Sequence, residues 1–138
     1  MWRKLILIGW VIGILFPFGW LTWYSDTYRQ MFDTVFGPLW VHIVMHILLY
    51  CVLAYLLAWL LLRAHPQRMH PYHFGFLFLA VLVVALIQES LQLLYQGRLP
   101  GADEWLDTAV DLAGGLLGIV LFWLRARKAS QRLRPPAV

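Results

Sequence analysis

His42 and His46 stand four residues apart, as do Asp107 and Asp111, and Glu89 is followed by Gln92 and Arg98. On a helix, positions i and i+4 share one face. Imidazoles at that spacing can share one ion, and carboxylates complete an oxygen–nitrogen ligand set, which makes His42, His46, Glu89 and Asp107 the candidate metal ligands. Tyr50 continues the histidine face one turn further. The forked guanidinium of Arg98 suits a phosphate-bearing headgroup. A binding pocket assembled from these types comprises Glu89, Gln92, Arg98, Asp107 and Asp111, with His46 and Tyr50 opposite.

Each has a plainer role as well. Glu89 can tie helices together, either protonated or hydrogen-bonded to Gln92, a histidine or Arg98. Gln88 and Gln92 can bond between helices. His42 lies near Trp40, where an amphipathic ring at an interface is ordinary. Asp107 and Asp111 suit the positive end of a helix dipole. Arg98 can snorkel or pair with Glu89 or Asp107. His42, His46 or His73 has the chemistry of an axial ligand for haem or chlorophyll, yet no cofactor is expected beyond the ion just described.

The elements that must position these residues are apolar. Hydrophobic residues make up 62% of the 138 positions and charged residues 13%, far from the near-half and quarter shares of soluble domains. The solvent this implies is lipid. Four runs are long enough to cross a bilayer as helices, residues 5–24, 39–62, 72–95 and 105–124, since a span takes about 20 apolar residues. None has the period-two alternation of a barrel strand. The expected fold is an all-α membrane protein, a single domain over residues 1–138 with four transmembrane helices in a bundle and a basic tail at 125–138 ordered only at its start. The first run is too long for a cleaved secretion signal and reads as a retained anchor, with Pro17 kinking its outer half. Gly9-x-x-x-Gly13 and Gly114-x-x-x-Gly118 read as close-packing helix faces. Cys51 is the only cysteine, so no disulfide framework exists.

Lysine and arginine fix the expected orientation. Nine of the eleven flank the ends that share the N-terminus, the 63–68 loop and the tail, leaving Arg29 and Arg98 in the other two loops. By the positive-inside rule both termini are cytoplasmic, and the net charge of +4 meets anionic lipid headgroups rather than nucleic acid. This topology brings His42, His46, Glu89, Gln92, Asp107 and Asp111 from three helices to one depth near the outer face.

The order Glu89-x-x-Gln92, Gly97–Arg98, Asp107-x-x-x-Asp111-x-x-Gly114-x-x-x-Gly118, together with His46-x-x-x-Tyr50 in the second span, resembles the VanZ-like family of small membrane proteins. His42 and Ile43 stand where that family has an Asp-Lys pair, Asp111 stands where Asn is common, and the loop from Arg98 to Asp107 is a few residues longer. The resemblance implies a cell-envelope membrane protein, the founding member being associated with glycopeptide (teicoplanin) antibiotic resistance.

Three functions are compatible with these residues. The first is binding, or helping to process, a lipid-linked or glycan headgroup of an envelope precursor. The second is a non-catalytic accessory subunit of a larger membrane complex. The third is an intramembrane metal-dependent enzyme. Catalysis itself is left open. A Gly-rich phosphate loop, C-x-x-C and G-x-S-x-G are all missing, which removes nucleotide, dithiol and serine-hydrolase chemistry.

Overall fold

The computed structural model of the protein describes residues 2–16, 21–22, 24–62, 70–97 and 99–132. Expectations that fall on Pro17, Arg63, Arg68, Arg98 and Arg134 lie outside the described residues. Five helices follow in chain order: α1 (Trp2–Leu15), α2 (Asp26–Phe36), α3 (Leu39–Leu61), α4 (Pro71–Gln96) and α5 (Ala102–Arg132). The described residues include no strand.

Three of these, α3, α4 and α5, are long and apolar enough to cross a membrane. The shortest, α3, has 23 residues, about 35 Å at the helical rise. Helix α1 has 14 residues as described, roughly 21 Å and short of a hydrocarbon core of about 30 Å. Four expected spans thus become three long helices and one shorter described helix.

Helix α2 was not expected from the sequence. Ser25 is its N-cap, accepting from the Tyr28 amide at 3.3 Å, and Asp26 places negative charge in the first turn, as the dipole favours. Tyr28, Phe32 and Phe36 form a ring stripe along one face, with centroids 5.9 and 4.8 Å apart. None of its residues is buried, and its polar opposite face makes it an amphipathic helix of interfacial type.

The long helices bury stripes of residues spaced by four. In α3 the stripe is His46, Tyr50, Ala54, Ala58 and, just past the helix, Leu62; in α4 it is Leu77, Val81, Ala85 and Glu89. Helix α5 buries Thr108, Asp111, Ile119, Phe122 and Ala126. Both histidine–aspartate pairs join residues 65 apart, so α3 and α5 run parallel. Helix α4 is antiparallel to both: its Val81 meets Gly115, whereas Glu89, two turns further along α4, groups with His46 and Asp111, nearer the starts of α3 and α5. Helix α1 is antiparallel to α3, with Trp10 Nε1 donating to the Leu49 carbonyl at 3.0 Å and the Arg3 guanidinium 3.9 Å from the Trp59 ring centroid.

This topology separates the two ends. Arg3 and Arg125 gather around the C-terminal part of α3, where Arg125 Nη1 donates to Tyr55 Oη at 2.6 Å. Polar residues of the histidine–carboxylate set occupy the other end, and an apolar core of Leu53, Ala54, Leu77, Val81 and Ile119 lies between. The outward faces carry exposed Phe76, Leu79 and Val83 on α4 and Leu117, Val120 and Leu121 on α5, a continuous apolar surface suited to lipid rather than water. The basic segment starting at Arg125 continues α5 to Arg132.

Of the two glycine pairs expected to pack, one does. A Cβ on Gly114 would lie 2.6 Å from the Ile47 carbonyl oxygen, and one on Gly118 would collide with that of Cys51. Helices α3 and α5 therefore touch backbone to backbone. Gly9 and Gly13 face open space, with nothing described within 4 Å of an added Cβ, because α1 turns Leu7, Trp10, Val11 and Ile14 toward the core instead.

Candidate functional site

The site is built where the polar ends of α3, α4 and α5 meet. Pro38 precedes α3 with no side-chain cap, and the helix reaches His42 after one turn and His46 after two. Helix α5 begins at Ala102, three residues earlier than the sequence pattern indicated. The Gly101 amide donates to Glu104 Oε2 at 2.6 Å, half of a capping box. Asp103 and Glu104 hold the first turn, so Asp107 and Asp111 lie one and two turns deeper and the dipole no longer accounts for them. Glu104 itself is buried; the sequence reading missed it, although an acid three residues after Gly101 is a capping signal.

Two histidine–aspartate pairs form successive tiers. At the mouth, His42 Nε2 and Asp107 Oδ1 are 3.1 Å apart, with side chains 35% and 15% exposed. One turn deeper, His46 Nδ1 and Asp111 Oδ1 are 2.7 Å apart, with side chains 11% and 0% exposed. Parallel helices with matching four-residue spacing produce the repetition. The two imidazole centroids are 4.3 Å apart, so the tiers are in contact.

Glu89 enters the inner tier from α4, where it occupies the core stripe and is only 4% exposed. Neither of its oxygens has a hydrogen-bond partner among the described residues, nor does Asp111 Oδ2. The expected tie between Glu89 and Gln92 is therefore not made. Gln92 is half-buried on α4. Gln88 takes the interhelical role, its Oε1 accepting from Tyr50 Oη at 3.0 Å. Ser90 bonds back to the Leu86 carbonyl at 2.6 Å, within its own helix.

The structure thus brings together His42, His46, Tyr50, Glu89, Asp107 and Asp111. His73 is elsewhere: its Nδ1 accepts from the His70 amide at 3.1 Å at the start of α4, far along the helix from Glu89. The assembled cluster is rich in acceptors. Carboxylates take hydrogen bonds from hydroxyl and ammonium groups and repel a bare phosphate. Compared with protein-family models, curated proteins and solved structures, the chain matches none.

Proposed function

We propose that this chain is a VanZ-like integral membrane protein of the cell envelope, with four spans and both termini cytoplasmic, whose outward-facing pocket binds a lipid-linked or glycan headgroup through hydroxyl or amine donors. The observation that carries the reading is the graded acid–histidine cluster. A mouth tier, His42–Asp107, is reachable from outside the bundle, and it stands over a closed tier of buried acceptors. Arg3 and Arg125 lie at the opposite end, which supports an outward mouth under the positive-inside rule. Membrane carboxylates are costly, and a ligand supplying donors offsets that cost.

The test is direct binding in lipid nanodiscs containing EDTA, with a fluorescent alkyl glucosaminide and an alkyl phosphate of equal chain length as probes. The glucosaminide is expected to bind saturably and the phosphate not at all. Asp107→Asn is expected to weaken glucosaminide binding by roughly 10- to 150-fold, the equivalent of a charge-assisted hydrogen bond of about 1.5–3 kcal/mol. Equal affinity for the two probes, or an unaffected variant, rejects the headgroup reading. The open face at Gly9 and Gly13 favours a second reading, an accessory subunit packed through α1 against a larger complex. Stoichiometric co-purification of another membrane protein from native membranes would support it in place of the first.

A further inference from the structure

We propose that the inner tier is a binding site for a divalent transition-metal ion, with His46, Glu89 and Asp111 as its protein ligands. One ligand atom from each of the three lies within 4.8 Å of the other two, so small side-chain rotations suffice to bring all three onto one ion at the usual ligand distances of about 2.0–2.2 Å. The three come from three different helices, and all are buried.

Unsatisfied oxygens point to a cation rather than to helix glue. Buried polar atoms in proteins are nearly always paired, yet Glu89 Oε1, Glu89 Oε2 and Asp111 Oδ2 have no hydrogen-bond partner among the described residues. Protonation of Glu89 would supply a single donor, enough to serve Asp111 Oδ2 but leaving the remaining Glu89 oxygen without a partner. Two carboxylates and a neutral imidazole carry the charge that a doubly positive ion cancels. The donor set is nitrogen and oxygen without thiolate, since the group comprises one histidine and two carboxylates. Such donors suit zinc, manganese and ferrous iron.

The mouth tier supplies a way in. His42, His46 and Asp107 form a second group whose ligand atoms also lie within 4.8 Å of one another, and His46 belongs to both. An ion arriving from the exposed side meets His42 and Asp107 first and passes to the closed set through the shared imidazole. The 2.7 Å contact between His46 Nδ1 and Asp111 Oδ1 holds the ring ready, either for exchange of its proton for the ion or, with Nε2 as the ligand, as an orienting carboxylate–histidine pair. Either route makes binding stronger as pH rises, since ligands must shed protons. Three protein ligands leave at least one coordination position open toward the mouth.

The inference does not rest on headgroup binding, which is measured in EDTA. The experiment titrates the stripped full-length protein in nanodiscs with Zn2+ against a chromophoric chelator, and with Co2+ for its visible d–d bands. A single equivalent of each ion is expected to bind the wild type. Glu89→Gln, which has no hydrogen bond to lose, and Asp111→Asn are each expected to weaken Zn2+ binding by more than the roughly 10–100-fold that loss of an outer-shell partner costs. Size-exclusion profiles equal to wild type establish that the Glu89→Gln bundle is intact. Failure of the wild type to bind Zn2+ or Co2+ overturns the proposal without needing any variant. Wild-type affinity in an intact Glu89→Gln protein overturns it equally.

Discussion

The His46→Leu protein is expected to lose about 3 kcal/mol of stability, and the double variant His46→Leu/Asp111→Val to recover most of it, each measured by reversible unfolding in mixed micelles. Asp111 is fully buried, and Oδ1 is its one bonded oxygen. Taking away the imidazole strips the buried carboxylate of its short histidine hydrogen bond, leaving only the Tyr50 hydroxyl nearby, and it must stay charged at high cost or protonate. Replacing both residues removes the polar groups together, and joint replacement of a buried pair by apolar residues is often neutral or better. His42→Leu is the internal control. Its side chain is 35% exposed and that of Asp107 15%, against 11% and 0% in the inner pair, so loss of the outer ring opens Asp107 further to solvent and the expected change is within about 1 kcal/mol. Equal losses for His42→Leu and His46→Leu would show that the two tiers do not differ in solvation. A double variant as unstable as the single would place the pair's contribution in packing rather than in charge.

The contrast between the tiers also explains how much the residues announced in advance. Four-residue spacing in two separate helices was visible, and parallel α3 and α5 convert it directly into two matched pairs. Apolar runs made three long helices legible for the same reason that periodicity governs burial. Rotation of α4 was not legible. Glu89-x-x-Gln92 puts both residues near one face, but burial of Leu77, Val81 and Ala85 turns Glu89 inward, leaving Gln92 half-buried and bringing Gln88 to Tyr50. Helix rotation is decided by packing against neighbours, which a single strand of letters does not carry. The start of α5 was missed because the polar stretch from Gly101 to Glu104 looks like loop until its capping bond is seen. Helix α2 had readable signals, Ser25 before Asp26 and aromatic residues at 28, 32 and 36. They were overshadowed by its low apolar content beside four apolar runs. Gly9 and Gly13 show the converse: a small-x-x-x-small pattern marks a face able to pack, and the fold decides whether anything does.

That difference between glycines sets the last expected result. Alanine at Gly118 should be the most damaging of three substitutions, alanine at Gly115 intermediate, and alanine at Gly13 neutral or stabilising. At Gly118 the new methyl meets the Cys51 backbone carbonyl, which moves only if α3 and α5 separate; overpacking of this kind costs about 1–3 kcal/mol or more. At Gly115 it meets the Val81 side chain 2.7 Å away, which can rotate or shift. At Gly13 it meets nothing described within 4 Å, and alanine's helix propensity favours it by up to about 1 kcal/mol. Unfolding in mixed micelles gives the order. The consequence reaches the site, because Gly114 and Gly118 set the distance between the helices that carry His46 and Asp111. Separation at Gly118 must lengthen the 2.7 Å contact two turns away, so Gly118→Ala should weaken Zn2+ binding although the residue offers no ligand atom. A Gly118→Ala protein as stable as wild type would mean that α3 and α5 do not approach so closely, and the pairing of His46 with Asp111 would lose its physical basis.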